Sequence, residues 1–126
     1  MILDHIGIPV SDVAKSRAFY EKALGPLGIA VMMDFGVAVG FGKGDKPDFW
    51  IGGLRGGSKK SDVAHVAFIA ESRVLVDAFY DAAIAAGGRD NGKPGIRSQY
   101  HPTYYGAFVL DPDGNNIEAV CHKAEA

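Results

Sequence analysis

Leu3-Asp4-His5-Ile6-Gly7-Ile8-Pro9-Val10 returns sixty positions later as Val63-Ala64-His65-Val66-Ala67-Phe68-Ile69-Ala70. In each stretch a histidine opens an apolar, β-branched run with the composition of a strand, and each run leads into an amphipathic helical pattern. The echo continues past the strand. Phe19-Tyr20-Glu21 and Phe79-Tyr80-Asp81 stand at the same distance from His5 and His65, Ala23 matches Ala83, and Gly28 matches Gly88. Self-similarity at a fixed offset marks duplication of one supersecondary unit, whose apolar face must pack against its copy.

The 126 residues suffice for one core of ordinary size and are too few for two independent domains, so a single domain of two similar halves is expected. An apolar fraction of 48% with 22% charged residues fits a soluble globular chain, and no run approaches the ~18 apolar residues of a membrane helix. The opening residues lack the basic, apolar and small-residue regions of a secretory signal, so a cytoplasmic location is expected. The single cysteine, Cys121, cannot form an intramolecular disulfide and reads as a small buried hydrophobe. A net charge of −2, with only the short Lys59-Lys60 run, offers no basic field for nucleic acid. Neither nucleic acid nor a membrane is an expected partner.

After the first strand, Ser11 reads as an N-cap and Asp12 suits the positive end of a helix reaching about Leu24, where Gly25-Pro26 stops it. Three short apolar runs follow, Ile29 to Met33, Val37 to Phe41 and Phe49 to Ile51, and they predict a three-stranded meander. The first half is therefore β-α-β-β-β and spans about 1–54. The polar, glycine-rich segment 55–62 reads as a linker, and the second half spans about 63–122. It repeats the order, with Ser72 opening a helix that carries Val76, Phe79, Ala83 and Ala86 and stops at Gly87-Gly88. Asp90 to Thr103 reads as a long irregular stretch with room for a short strand near Arg97 to Tyr100. Tyr104 to Leu110 and Asn116 to Cys121 are strands joined by the tight turn Asp111-Pro112-Asp113-Gly114-Asn115.

Chemistry gathers on a few of these positions. His5 and His65 are equivalent in the two halves and can approach each other if the halves pair about a pseudo-twofold axis. Glu118 puts a carboxylate in an apolar closing strand, where burial demands a partner charge or a metal. Two imidazoles and a carboxylate suit Fe2+, Zn2+, Mn2+, cobalt or Ni2+. Taken singly, a strand histidine is more often a satisfied core or surface residue, and only the duplicated position raises these above it. His101 lies on the long loop, where an acid or base can face a substrate, and His122 shares a strand face with Glu118. Tyr104, Tyr105 and Phe108 fit equally the wall of a pocket or the filling of a core.

The opening Leu3 to Gly7, the second-half Ala64 to Phe68 and the closing Tyr105 to Glu118, with its Asp-Pro-Asp-Gly-Asn turn, resemble the vicinal oxygen chelate superfamily. That superfamily includes glyoxalase I, extradiol dioxygenases, fosfomycin resistance proteins and bleomycin-binding proteins. The resemblance implies an α+β fold in which two β-α-β-β-β modules form an open eight-stranded cup. It places a divalent metal on His5, His65 and Glu118 and implies a homodimer acting on a small molecule with vicinal oxygens. In that setting Glu118, His101 and Tyr105 are the candidate catalytic groups, and Trp50, Tyr104, Tyr105 and Phe108 the candidate walls. Glyoxalase I draws a fourth ligand from the last strand of the first half. Here Trp50 or Ile51 falls there, and Asp48 would need a shift of two or three residues. Dioxygenase-like or lyase-like chemistry is therefore expected ahead of glyoxalase I activity. A metal-free protein that sequesters a planar ligand is the alternative.

Overall fold

Two β-α-β-β-β units follow one another along the chain, as the repeat implies, in an α+β fold. The computed structural model describes residues 3–54 and 62–124, so the expected linker lies, apart from Asp62, outside the described residues. The first unit contains β1 (Ile6–Val10), α1 (Val13–Leu24), β2 (Ala30–Asp34), β3 (Ala38–Gly42) and β4 (Phe49–Gly53). The second contains β5 (His65–Ile69), α2 (Arg73–Ala85), β6 (Arg89–Ile96), β7 (Tyr105–Leu110) and β8 (Asn116–Cys121). The strands form two open four-stranded sheets, ordered β1-β4-β3-β2 and β5-β8-β7-β6. β1 and β5 run parallel to β4 and β8, as a strand reached through a helical crossover does, and the remaining neighbours are antiparallel.

Strand alternation decides what each sheet buries. Ile8, Val10, Val39, Phe41, Phe49 and Ile51 are buried in the first unit, and Ala107, Val109, Ile117, Ala119 and Cys121 in the second. α1 contributes Phe19, Tyr20, Ala23 and Leu24 to the same core, and α2 contributes Val76, Phe79 and Ala83. The two helices touch, and Phe49 meets Phe68 edge-to-face at 5.1 Å, so one apolar core runs through both halves. Full burial of one such side chain is worth about 1.5–3 kcal/mol, so this shared core holds the halves together.

The turn between β7 and β8 ties them a second time. Asp111 is almost fully buried, and its carboxylate accepts from the amides of Asp113 and Asn115 at 2.9 and 2.8 Å. It also accepts from the Asn115 side chain at 2.8 Å and from the Tyr20 hydroxyl of α1 at 2.5 Å. Asp113 accepts from the Ser11 amide at 3.0 Å and the Ser16 hydroxyl at 3.5 Å. A buried carboxylate without a cation persists only when donors surround it, and here the first half supplies one of them.

Two boundaries differ from expectation. Asp12, not Ser11, caps α1, its carboxylate accepting from the Lys15 amide at 3.1 Å, while the Ser11 amide donates to Asp113. The stretch after Asp90, expected to be mostly irregular, is largely the eight-residue β6, and 97–104 turns back toward β7. Its pairing with β7 shifts register around Gly92, which absorbs the irregularity, and Pro94 is tolerated because β6 is an edge strand. Glycine and proline imitate a loop in the sequence while building a bulged edge in the fold.

Candidate functional site

The face of the second sheet turned away from α2 carries His65, Asn116, Glu118 and Phe108, brought together by the register His65 to Asn116, Ala67 to Glu118 and Phe108 to Glu118. His65 sits at the exposed start of β5, and its Nε2 lies 3.2 Å from Oε1 of Glu118. Its Nδ1 lies 2.9 Å from the carbonyl of Asn116. A carbonyl only accepts, so Nδ1 carries a proton and Nε2 points at the carboxylate, offering a lone pair in the neutral ring and an N–H in the imidazolium. Two acceptors that close repel unless a proton or a cation lies between them.

Glu118 is 1% exposed although it stands on the open face. Tyr104 covers it, donating its hydroxyl to Oε2. Burial, followed by the Glu118 carboxylate, pushes the Tyr104 hydroxyl well above its ordinary range, so the tyrosine holds its proton. Gly106 makes the contact possible, since a Cβ there would stand 3.1 Å from Oε2 and 3.2 Å from the Tyr104 ring. Phe108 lies alongside His65, ring centres 6.3 Å apart.

Other expected residues lie further out. Tyr104 packs between Tyr100 at 5.0 Å and His122 at 5.2 Å, and His101 meets His122 at 6.1 Å. His101 Nδ1 accepts from the Thr103 amide at 3.2 Å, so His101 braces the loop and is separated from Glu118 by His122 and Tyr104. Tyr105 corrects the sequence reading. Strand parity turns it to the helix-covered face, where its hydroxyl donates to Asp77 at 2.7 Å beneath the Arg73 guanidinium, so it is neither a wall nor an acid of this site.

His5 stands outside this pair within one chain. It is exposed, 2.7 Å from Asp4, and among the described residues no three histidine, cysteine, aspartate or glutamate side chains gather closely enough to hold a metal. His5 and His65 line one cleft of about 390 Å³ with Lys43, Asp48, Phe68 and Glu71, yet within a single chain His5 does not close on Glu118. The duplicated spacing makes the two histidines equivalent and says nothing about how far the halves carry them apart.

In the first sheet, Gly7 pairs with Trp50 as Ala67 pairs with Glu118, so Trp50 is the register counterpart of the buried carboxylate. It carries no ligand atom and stacks on Phe35, with ring planes 5° apart and centres at 6.1 Å. Phe35 is 66% exposed and escaped the sequence reading because it sits between strands, next to Gly36. Arg97, at the end of the glycine-rich stretch, escaped it as well; its guanidinium lies over the Phe108 ring at 5.4 Å.

The chemistry of the donor set therefore fits a divalent cation through two residues of one chain. His65 offers an oriented Nε2 held from behind by a carbonyl, and Glu118 offers one oxygen while Tyr104 holds the other. No curated protein sequence matches the chain closely enough to lend it an activity. Among solved structures, it resembles a glyoxalase/bleomycin resistance protein from Albidiferax ferrireducens T118, with 30% identity and a TM-score of 0.85 over 96% of this chain and 99% of that one. A glyoxalase/bleomycin resistance protein/dioxygenase family enzyme from Burkholderia phytofirmans PsJN matches in fold, with 21% identity and a TM-score of 0.75 over 95% of this chain and 98% of that one. A glyoxalase I mutant from Zea mays matches at 23% identity and a TM-score of 0.74, over 94% of this chain and 46% of that one. The sequence profile of one superfamily matches residues 2–119, nearly the whole of the two units that build this face, and the chain belongs to that superfamily, the glyoxalase/bleomycin resistance protein/dioxygenase superfamily.

Proposed function

We propose that this protein is a divalent-metal-dependent enzyme acting on a small molecule with vicinal oxygens, with His65 and Glu118 as one part of the metal site. The observation that carries the reading is the pair itself: Nε2 and Oε1 3.2 Å apart, with the far atom of each side chain already engaged by Asn116 and Tyr104. A third ligand, His5, comes from a second copy of the chain in a homodimer, because His5 does not reach the pair within its own chain. Fe2+, Zn2+, Mn2+ and Ni2+ all accept two imidazoles and a carboxylate with open positions. A bound ion would orient and polarise the two oxygens of the substrate. Tyr104 keeps its proton on Glu118 and fixes the carboxylate, while Phe108 screens one side of His65 from water.

Dioxygenase-like or lyase-like chemistry is favoured over glyoxalase-type isomerisation, since Trp50 stands at the register position where the first half would add a second carboxylate. A second reading, sequestration of a planar ligand without metal, draws on the Trp50 and Phe35 stack on the other sheet. Metal analysis separates the two. The purified protein is incubated with each ion, dialysed and assayed beside His65→Ala; retention of metal by wild type alone supports the first reading, and a wild type that stays empty with all four ions refutes it. The iron(II)-loaded protein is then offered catechols in air and, separately, the hemithioacetal of methylglyoxal and glutathione.

A further inference from the structure

Arg97 is held rigidly and left half used. Its Nη1 donates to the carbonyl of Gly95 at 2.9 Å and its Nη2 to that of Lys93 at 2.7 Å. Those two bonds, with the Phe108 ring 5.4 Å beneath, fix the plane of the guanidinium. The seat is made by β6, where Gly92 has no side chain; a Cβ there would meet Phe108 at 2.9 Å and Arg97 Nη2 at 3.1 Å. Among the described residues no carboxylate lies within ion-pair distance of it. A guanidinium carries five N–H donors, so three remain, and among the described residues its charge has no counter-ion.

Arg97 also shares Phe108 with His65, which stacks on the same ring at 6.3 Å. A cation placed only to finish the backbone of an edge strand has no reason to stand on the open face beside an oriented imidazole and a buried carboxylate. Pre-set, unpaired guanidinium groups recognise planar or tetrahedral oxyanions. We infer that Arg97 is the anion-recognising residue of this site, so that the molecule bound there carries a carboxylate or phosphonate group beside its chelating oxygens. The inference rests on the proposed function only for the second half of that sentence; the anion subsite itself needs no metal.

The test uses the full-length, metal-free protein labelled with 15N-arginine, titrated with lactate, methylphosphonate and lactamide, the uncharged analogue of lactate. The Arg97 Nε–Hε resonance is expected to move and saturate with lactate or methylphosphonate and not with lactamide, and the stronger of the two anions identifies the group preferred. Arg97→Gln is expected to weaken binding of that anion roughly ten- to a hundredfold, with Arg97→Lys in between. Equal response to lactate and lactamide overturns the inference, as does a silent Arg97 resonance with both anions or an unchanged affinity in a folded Arg97→Gln. A parallel Mn2+ titration by water-proton relaxation keeps the two proposals apart. Manganese binding that depends on His65, without anion discrimination, removes the inference alone; anion discrimination in a wild type that binds no manganese removes the metal reading alone.

Discussion

The hydroxyl of Tyr20 donates at 2.5 Å to the carboxylate of Asp111, ninety-one positions away in the other half, and both groups are buried. Among the described residues no cation pairs with Asp111, so each of its donors matters. Tyr20→Phe removes one donor and leaves the amides of Asp113 and Asn115 and the Asn115 side chain, a loss of about 1–3 kcal/mol. Asp111→Ala removes the acceptor from all four and is expected to cost more. Urea unfolding followed by circular dichroism measures both, and a Tyr20→Phe loss close to zero would show that the turn holds Asp111 without the first half.

The same bond gives the protein an alkaline limit. Burial, then the charge of Asp111, raises the Tyr20 pKa far above its ordinary value of 10.0. The unfolded chain therefore releases this proton before the folded chain does. Stability from this group is complete below pH 10 and falls as the pH rises beyond it, by about 1.4 kcal/mol per pH unit. Tyr20→Phe should flatten that slope above pH 10 while lowering stability at neutral pH.

Gly106 is the least conspicuous part of the site and the cleanest to change. A methyl group there would press on Oε2 of Glu118 and on the Tyr104 ring, both within 3.2 Å. Gly106→Ala is expected to lower divalent-ion affinity at least about tenfold by parting the two side chains, approaching the effect of Glu118→Gln. Calorimetric titration with Mn2+ reads the effect, and thermal unfolding shows whether the change is confined to the site.

Mixing variants tests where His5 acts. If each site takes His5 from one copy and His65 with Glu118 from the other, His5→Ala and His65→Ala homodimers both lose metal. A heterodimer of the two recovers one intact site. Co-expression with two affinity tags, followed by metal analysis, should return about one ion per heterodimer; no recovery places all three ligands in one chain.

Trp50 is the only tryptophan, and its indole lies flat against Phe35. Its fluorescence therefore reports on the first half of the open surface. Phe35→Ala should expose the ring and shift its emission to longer wavelength. A flat ligand that stacks there should quench wild type and quench Phe35→Ala less.

The fold was legible because the period was. Histidine, strand and Phe-Tyr helix recurring at one offset set the order of elements, and hydrophobic alternation set which side of each strand is buried. Glu118 was legible for a related reason, since a lone carboxylate among apolar residues has to be explained. Tyr105 was misread because Tyr104 and Tyr105 are interchangeable in composition and opposite in parity, and only the placement of the strand separates them. The separation of His5 from Glu118 was invisible because sequence spacing fixes position along each half and not the packing of one half on the other. Arg97 was hidden in a stretch whose glycines suggested a loop, although they build a strand with room for its side chain.

Each sheet has two outer strands, and three of these four edges are interrupted. β1 carries Pro9, β2 slips register between Val31 and Met33, and β6 combines Pro94 with two shifts of its own. A strand from another molecule cannot continue a regular ladder along such an edge. The chain can therefore leave Met33 in β2, and Phe35 and Val37 just after it, exposed without offering its neighbours a template for sheet-to-sheet polymerisation.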